Sequence, residues 1–372
     1  MDKVRFGVIG FGNMGSGHVK NLAEGKITDG VLAAICDTNE KKIERAKEAY
    51  PGIPTFSDAE TMMKSGLIDA VIIATPHYYH PPLATMAFEN GIHAMSEKPA
   101  GVYTKQVRLM NEAAAKHPKI VFGMMFNQRT NCVYRKMKEM VENGSIGEMR
   151  RFYWIITDWY RPQAYYDSGD WRATWGGEGG GVLLNQCPHN LDLWQWICGM
   201  PVRMTAFMKE GRWHNIEVED DVVAYAEYAN GANGVFITTT ADYPGTNRFE
   251  VSGDLGKLVC EGGKLTYYKN KMSDREFSKV NTVPFGGPGG ERIEVETDGQ
   301  NPQHNGVLSA FTGAILRGEP LVAKGNEGIN GLMLSNAMHL SSWLGKPGSP
   351  VTVTLPVDEE LFYAELQKKI KK

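Results

Sequence analysis

Two groups of polar residues in this chain have the side-chain types needed to move a proton or to hold a hydroxyl group. The first is Glu97-Lys98-Pro99, which directly follows a predicted strand over Ile92–Ser96. Residues just beyond the carboxyl end of a parallel strand line the ligand crevice of α/β folds, so Lys98 is placed to donate a hydrogen bond to a substrate oxygen. A buried lysine whose pKa is lowered can also transfer a proton. The alternative is a salt bridge between Glu97 and Lys98 at the surface.

The second group follows three consecutive glycines, Gly179–Gly181, and consists of Asn185, His189 and Asp192. We predict that this segment is helical, and the i, i+4, i+7 spacing then puts the three side chains on one face. A histidine can accept a hydroxyl proton near neutral pH, and Asn185 and Asp192 would fix the tautomer and orientation of its ring. The alternatives are a histidine with a structural role and a metal site, and helical spacing without further ligands disfavours the metal.

The element that would present a ligand to these residues lies at the start of the chain. A strand predicted over Met1–Ile9 runs directly into a helix through Gly10-Phe11-Gly12-Asn13-Met14-Gly15. In this G-x-G-x-x-G pattern the first glycine permits the tight turn and the second lets the backbone approach a pyrophosphate. The third allows the helix to pack close to the strand, with the helix N-terminus facing the anion. The alternative is an ordinary glycine turn, but the strand–turn–helix context favours a dinucleotide site.

A second strand supports the dinucleotide and indicates which cofactor it is. The predicted strand Val31–Cys36 ends at Asp37, about 20 residues beyond the last glycine, where such folds bind the ribose. A carboxylate accepts hydrogen bonds from the ribose 2′-hydroxyl and repels a 2′-phosphate, so Asp37 favours NAD over NADP. Lys41 and Lys42 follow on the next helix, where we expect them on its solvated face. NADP stays open as the second possibility.

The order of the predicted elements indicates two domains. Up to residue 126 strands alternate with helices, which predicts an α/β, doubly wound parallel sheet, and we place the dinucleotide-binding domain in residues 1–126. Beyond it, short segments of alternating apolar and polar residues predict a mostly antiparallel sheet in an α+β domain of residues 127–372. Asn230-Gly231 is a hairpin signal, and a late helix is predicted over Gly328–Leu344. The alternating segments are 149–157, 202–208, 222–228, 234–240, 248–252 and 257–261.

Composition excludes several classes of protein. A net charge of -3 gives no indication of binding to nucleic acid or an anionic membrane, and no apolar run approaches the roughly 18 residues of a membrane span. The chain begins with the first strand of the nucleotide fold, which argues against a signal peptide. Its five cysteines are an odd number without C-x-x-C spacing. They predict free thiols in a reducing cytoplasm and no zinc site.

Taken together, the motifs resemble those of the glucose–fructose oxidoreductase and inositol dehydrogenase family (Gfo/Idh/MocA), over nearly the whole chain. The matching residues, in order, are Gly10 to Gly15, Asp37, Ala74-Thr75-Pro76 with His80, Glu97-Lys98-Pro99, Asn127 with Arg129, Trp171-Arg172, and the glycine segment that leads to His189. The resemblance implies a nicotinamide-binding Rossmann domain followed by an open-faced, mostly antiparallel sheet domain. It also implies homodimers or homotetramers, which we expect to form through the exposed face of that sheet.

The resemblance also implies roles for individual residues. Lys98 and His189 would act in catalysis, without a metal. The cofactor would be bound by Gly10, Phe11, Gly12, Asn13, Met14, Gly15, Asp37, Thr75, Pro76, His80, Glu97 and Lys98. The substrate would be bound by Asn127, Arg129, Tyr160, Trp171, Arg172 and Asn185. Tyr160 and Trp171 belong to a set of aromatic residues that either stack on pyranose rings or pack the sheet domain, namely Trp159, Tyr160, Tyr165, Tyr166, Trp171 and Trp175.

One residue departs from the family pattern, which usually has an aspartate where this chain has Asn185. Asparagine carries no charge and cannot take a proton, so we expect Asn185 to bind substrate and His189 to be the base. The sequence therefore predicts an NAD(P)-dependent dehydrogenase acting on a secondary alcohol of a sugar, cyclitol or glycoside. Two alternatives are an NAD-dependent glycosidase or lyase that works through a transient keto sugar, and a non-catalytic regulator that senses a dinucleotide. The presence of both Lys98 and His189 weighs against the regulator.

Overall fold

The structure, a computed structural model, describes residues 2–371 and divides into two units. The first unit comprises the chain up to Thr130 together with Asn301–Leu332, and the second comprises Asn131–Gln300 and Met333–Lys372. This division differs from a single boundary after residue 126, because the chain returns to the first unit after the long sheet segment. The return has a physical reason: Leu308 and Phe311 are buried in the first unit's core, where the Phe311 ring lies 6.2 Å from that of Phe6.

The first unit is built on a six-stranded parallel sheet with the order β3-β2-β1-β4-β5-β6. Its strands are β1 (Val4–Ile9), β2 (Gly30–Cys36), β3 (Thr55–Phe56), β4 (Ala70–Ile73), β5 (His93–Ser96) and β6 (Phe122–Met124). Its helices are α1 (Asn13–Ala23), α2 (Glu40–Ala49), α3 (Ala59–Lys64), α4 (His80–Glu89), α5 (Thr104–Lys116) and α10 (Gln303–Arg317), with short 3₁₀ turns at His77–Tyr79, Asn127–Thr130 and Gly325–Glu327. The parallel doubly wound sheet confirms the predicted fold class of this part.

The strand order fixes where this unit can bind a ligand. The chain moves outward from β1 through β2 to β3, and then returns to the other side of β1 with β4. Ligands of such sheets bind at this switch point, beyond the carboxyl ends of the strands. The loops after β1 and β4 are joined there, because the Ala74 N–H donates to the Ile9 carbonyl at 2.8 Å. All four residues of β4 are buried, as its uninterrupted apolar sequence predicts.

The second unit contains a nine-stranded sheet with the order β14-β13-β12-β11-β7-β10-β9-β8-β15. Neighbouring strands are antiparallel apart from β7 and β10, which are parallel, so the prediction of a mostly antiparallel sheet is confirmed. The strands are β7 (Met149–Ile156), β8 (Arg203–Glu210), β9 (Glu219–Glu227), β10 (Asn233–Thr239), β11 (Asn247–Gly253), β12 (Gly256–Glu261), β13 (Lys264–Asn270), β14 (Gly290–Glu294) and β15 (Val353–Thr354). The helices are α6 (Cys132–Glu142), α7 (Gln163–Tyr166), α8 (Pro188–Cys198), α9 (Asp274–Val280), α11 (Gly328–Leu344), which begins in the first unit, and α12 (Glu359–Ile370).

The two faces of this sheet differ. One face is buried beneath α8, where the Phe152 ring lies 4.8 Å from that of Trp194. The opposite face keeps apolar side chains exposed, and Phe207 is 50% and Tyr225 43% accessible. The hairpin signal is also confirmed, because β9 pairs with β10 across a turn in which Gly231 has φ +83°.

Residues 2–371 contain neither a membrane-spanning helix nor a cluster of metal ligands. No helix in that range is long and apolar enough to cross a membrane. The same residues contain no group of three or more His, Cys, Asp or Glu side chains that could hold a metal ion. None of the five cysteines forms a disulfide, and four of them are buried.

Candidate functional site

The glycine turn after β1 has the shape that a dinucleotide needs. Gly10 has φ +94°, and a Cβ at this position would lie 2.4 Å from the Ala74 carbonyl oxygen. A Cβ on Gly15 would lie 1.7 Å from the Gly10 carbonyl oxygen, so both positions exclude a side chain. Gly12, by contrast, faces open space and caps α1 without any side-chain hydrogen bond. The N-terminus of α1 is therefore open to an anionic group, which fits a pyrophosphate.

Asp37 lies at the carboxyl end of β2 beside this turn, and its carboxylate is already held by several donors. It accepts hydrogen bonds from the backbone N–H groups of Phe11 at 2.7 Å and Asn39 at 2.9 Å. The Lys42 ammonium lies 3.3 Å from the same carboxylate, although we expected this lysine to be turned toward solvent. Because the Phe11 N–H is used by Asp37, it is not available to a phosphate. The Arg45 guanidinium lies 4.9 Å from the centre of the Phe11 ring and closes this side of the turn.

The loop after β4 contributes one open polar group and one buried histidine. Thr75 Oγ1 is buried and has no hydrogen-bond partner within residues 2–371, which fits a position that a ligand completes. His80 is fully enclosed, with Nδ1 2.7 Å from the Pro99 carbonyl oxygen and Nε2 2.8 Å from the Thr75 carbonyl oxygen. Burial lowers the pKa of His80, and the two carbonyl oxygens oppose that shift. His80 therefore joins the loops after β4 and β5 from within the fold.

Glu97 and Lys98 follow β5, as predicted, and Glu97 is buried instead of lying at the surface. Glu97 is 4% accessible, and its Oε1 lies 2.7 Å from His18 Nε2 on α1. Its Oε2 accepts a hydrogen bond from the Lys98 backbone N–H at 3.2 Å. Burial alone would raise the pKa of Glu97, but the hydrogen bond and charge of His18, with Lys98 and His304, bring it down to about 2. Glu97 thus anchors the turn that presents the half-buried Lys98.

Asn127 and Arg129 were expected to bind substrate, and the structure buries both in the first unit. The Asn127 side-chain amide donates to Gln303 on α10. The Arg129 guanidinium lies 2.5 Å from the Glu327 carboxylate and 5.4 Å from the centre of the Phe126 ring. Both side chains therefore connect the end of the parallel sheet to the segment that returns from the second unit.

In the second unit, the glycine segment enters α8 in a different way from the one predicted. The Glu219 carboxylate accepts hydrogen bonds from the backbone N–H groups of Gly181 at 2.9 Å and Leu183 at 3.0 Å. A Cβ on Gly181 would lie 2.0 Å from the Glu219 carbonyl oxygen. The segment is therefore held in a series of turns, and the helix begins only at Pro188. The prediction that Asn185 shares one helix with His189 and Asp192 is wrong, because Asn185 lies in the turn before it.

Burial nevertheless distinguishes two of the predicted residues. Between Glu178 and Gln195, Asn185 and His189 are the two positions that keep part of their surface accessible. Asp192 is buried on α8 and accepts a hydrogen bond from the Gln195 side chain at 3.0 Å. Asn185 and His189 are therefore the polar side chains that this segment offers to a ligand.

A buried carboxyl group beside Asn185 was not predicted. Glu178 is 2% accessible; its Oε1 accepts a hydrogen bond from Asn185 Nδ2, and its Oε2 accepts one from the Ala173 N–H at 2.6 Å. Burial, supported by the charge of Glu219, raises the pKa of Glu178 to about 7, against the opposing effect of these hydrogen bonds and of Arg172. The one indication of this residue in the sequence is its position, an acidic side chain directly before the three glycines.

Trp171 and Arg172 lie at the same turn. The Arg172 guanidinium donates to the Tyr165 hydroxyl at 2.9 Å and lies 4.6 Å from the centre of that ring and 4.7 Å from the Trp171 ring. The Gln186 side chain reaches the same hydroxyl at 3.5 Å, which connects this cluster to the residue after Asn185. Tyr160 is 43% accessible, with its ring 5.6 Å from that of Tyr243. Two of the six aromatic residues, Tyr166 and Trp175, are buried and pack the unit.

Comparison with protein families identifies both parts of the chain. Residues 4–124 match an oxidoreductase family with an NAD-binding Rossmann fold, and residues 134–259 match a GFO/IDH/MocA C-terminal domain. Myo-inositol 2-dehydrogenase of Thermotoga maritima is 26% identical over 339 residues, which cover 90% of this chain and 95% of the relative. The uncharacterized oxidoreductase YdgJ of Escherichia coli is 32% identical over 315 residues, which cover 84% and 82%.

A solved structure extends the similarity to three dimensions. The WlbA dehydrogenase from Bordetella pertussis, in complex with NADH and UDP-GlcNAcA, superposes with a TM-score of 0.80 at 26% identity. The superposition covers 96% of this chain and 99% of that structure.

Proposed function

Because this chain belongs to the GFO/IDH/MocA family of NAD-binding oxidoreductases, we propose that it transfers hydride between NAD and a secondary alcohol of a sugar, cyclitol or glycoside. The observation that carries this proposal is the pair of accessible polar residues in an otherwise buried segment, Asn185 and His189. The half-buried Lys98 at the nucleotide-binding edge of the first unit supports it. The relatives named for inositol and sugar substrates are consistent with this class of alcohol.

The residues that would hold NAD follow from the loops of the first unit. The open turn at Gly12 would take the pyrophosphate, Asp37 the adenosine ribose, and Thr75 Oγ1 a further polar group of the cofactor. When bound, NAD supplies the carbon that accepts or returns the hydride. His80 and Glu97 would support these loops from within, since both are buried and already bonded to the protein.

The protein's part in the reaction is to hold one hydroxyl group and to manage its proton. In oxidation, His189 accepts the proton of the substrate hydroxyl as the C–H bond gives up its hydride. The Lys98 ammonium donates a hydrogen bond to the same oxygen and stabilises the negative charge that develops on it. Asn185 binds the sugar and carries no proton. In reduction, His189 returns the proton to the oxygen.

Assembly is a further part of the proposal. The exposed face of the nine-stranded sheet carries Phe207, Val223 and Tyr225, and an exposed apolar face of this kind usually meets another surface. We propose that a second copy of the chain covers it, giving a homodimer or a homotetramer. Light scattering at micromolar concentration should report an oligomer, and Val223→Lys with Tyr225→Lys should dissociate it. A monomeric wild-type protein would contradict the assembly.

The experiment that tests the function follows NADH formation across matched panels of sugars, inositols and glycosides, with product analysis. Net NADH formation in proportion to an oxidised product supports the dehydrogenase. Cleavage of a glycosidic bond without net NADH would replace it with the NAD-dependent glycosidase or lyase. Tight NAD binding with neither product across the panels would favour the non-catalytic regulator.

A further inference from the structure

We propose that Glu178 is a positioning residue that turns the Asn185 amide, so that the Oδ1 atom of Asn185 faces the substrate as a hydrogen-bond acceptor. The inference rests on the proposed function, because that function places Asn185 at the substrate. Glu178 is not among the residues that carry the family resemblance.

The two ends of the Asn185 amide group have different hydrogen-bonding properties. Its oxygen can only accept hydrogen bonds and its NH₂ group can only donate them, so whichever end faces inward decides what the other end offers. An ionised carboxylate accepts only. Since the Glu178 carboxylate accepts from Asn185 Nδ2, Oδ1 is the end of the amide that points away from Glu178.

The backbone keeps both residues in this arrangement. Asn185 is fixed at its own N–H, which donates to the Gly181 carbonyl at 2.9 Å. Glu178 is fixed by the Ala173 N–H, which donates to the second carboxylate oxygen at 2.6 Å. Turning the Asn185 amide would break its hydrogen bond to Glu178, and turning the Glu178 side chain would break its hydrogen bond from Ala173, so the charge of Glu178 contributes to the orientation of the amide.

The groups that face Glu178 make this charge sensitive to pH. Arg172 favours the ionised carboxylate, Glu219 on β9 disfavours it, and the Tyr166 phenol on α7 is also close enough to interact. Burial outweighs the favourable contacts and raises the pKa of Glu178 to about 7. Once protonated, the carboxyl group can donate to Asn185 Oδ1, and the amide would then present its NH₂ group to the substrate.

Glu178→Gln is the informative substitution, because it keeps the shape of the side chain. The Ala173 N–H needs an acceptor, so it takes the one oxygen of the new glutamine and leaves the glutamine NH₂ group facing residue 185. Asn185 must then turn its oxygen inward. We expect KM to rise about 10-fold, the scale of one lost hydrogen bond, with little change in kcat. In the wild type, KM should rise as pH falls through about 7, because protonation of Glu178 turns the Asn185 amide, and this dependence on pH should disappear in the variant.

The reciprocal change tests the role against a merely structural one. Asn185→Asp alone brings two carboxylates together and should raise KM as well. In the double variant E178Q/N185D, the glutamine NH₂ group donates to one aspartate oxygen, and the other aspartate oxygen faces the substrate as an acceptor. KM should therefore return to within about 3-fold of the wild-type value, a margin that allows for a small residual mismatch. A structural role for Glu178 predicts no such rescue.

The control is Asp220→Asn, which replaces another buried carboxylate of the same unit. This substitution weakens the hydrogen bonds that Asp220 accepts from the backbone N–H groups of Trp213 and His214. We expect a lower melting temperature and an unchanged KM. A second readout needs no substrate: the side-chain NH₂ signal of Asn185 in NMR spectra should shift with pH near neutrality in the wild type and stay constant in E178Q.

The outcomes separate the two proposals. An active wild type whose KM is unaffected by E178Q, or a double variant without rescue, overturns the role of Glu178 and leaves the proposed function intact. An Asn185 NH₂ signal that does not titrate also overturns it. A wild type without dehydrogenase activity on any panel contradicts the proposed function, and this role with it.

Discussion

Removing His18 should destabilise the first unit far more than its position on α1 suggests. His18→Leu leaves the Glu97 carboxylate, which is 4% accessible, without the ring nitrogen that lies 2.7 Å away. Removing one partner of a buried ion pair lowers the free energy of unfolding by about 3–5 kcal/mol. The pKa of Glu97 agrees with the sign of this loss: burial would raise it, and the hydrogen bond and charge of His18 are the largest effects that lower it to about 2. For a domain of this size, a loss of about 3–5 kcal/mol lowers Tm by about 6–20 °C.

The pH dependence of this loss follows from the sign of the pKa shift. In the wild type the folded pKa of Glu97 lies below the unfolded value, so its stabilisation is fully present above pH 4.5 and is lost as pH falls through about 2. In His18→Leu the unpaired carboxyl group is forced toward its protonated form, which costs most at neutral pH and least near pH 4.5. The difference in Tm between the two proteins should therefore narrow from pH 7.5 to pH 4.5.

Thermal unfolding followed by circular dichroism at a series of pH values measures this directly. Arg5→Leu is the matched control, because it breaks the Arg5–Asp69 pair of the same unit at 2.7 Å, in which the arginine is 47% accessible. An exposed pair contributes less than about 1 kcal/mol. Replacing both buried partners, as in H18L/E97L, should recover most of the lost stability. Two results would refute this reasoning. One is an equal fall in Tm for His18→Leu and Arg5→Leu; the other is a Tm difference between wild type and His18→Leu that does not change with pH.

Three further predictions concern the cofactor and the chemistry. Asp37→Ser should weaken NAD about 10-fold in calorimetry, the scale of lost hydrogen bonds to a charged group, and tighter binding of NADP than NAD by the wild type would contradict the role of this carboxylate. Lys98→Met and His189→Ala should each lower kcat about 100-fold or more while NAD affinity is kept, and a variant that retains most of its turnover removes that residue from the mechanism. Gly15→Ala should weaken NAD and lower the Tm, because its Cβ would lie 1.7 Å from the Gly10 carbonyl oxygen. The exposed Gly17→Ala on the same helix should do neither, since its Cβ meets nothing within 4 Å.

Local patterns in the sequence were sufficient for most of the fold. The glycine turn, the buried strand Ala70–Ile73 and the alternating strands each depend on residues close together in the chain, and their periodicity reports which side is buried. The helix over Gly328–Leu344 was predicted with the bounds that the structure has. Lys98 was placed correctly after β5 for the same reason.

The parts that could not be predicted depend on partners far away in the sequence. Asn185 leaves the helix because Glu219, 34 positions further on, takes the N–H groups of the glycine segment. Neither the alternative of a Glu97–Lys98 salt bridge nor the family resemblance indicates His18, the hydrogen-bond partner of Glu97 that is 79 positions away. The burial of Glu178 is likewise a tertiary effect. The periodicity of apolar residues along the chain does not indicate such long-range contacts. These contacts nevertheless determine the environment of the candidate site.

The return of Asn301–Leu332 to the first unit also has a consequence for how the protein is made. Val307, Leu308 and Phe311 belong to the same core as Phe6 and Val8, near the opposite end of the synthesised chain. A nascent chain that has just released residue 130 from the ribosome therefore carries an unfinished nucleotide-binding unit with apolar surface still open. That surface closes only after strands β7 to β14 have been translated, so the nucleotide-binding unit can be completed only after most of the sheet that follows residue 130 has been made.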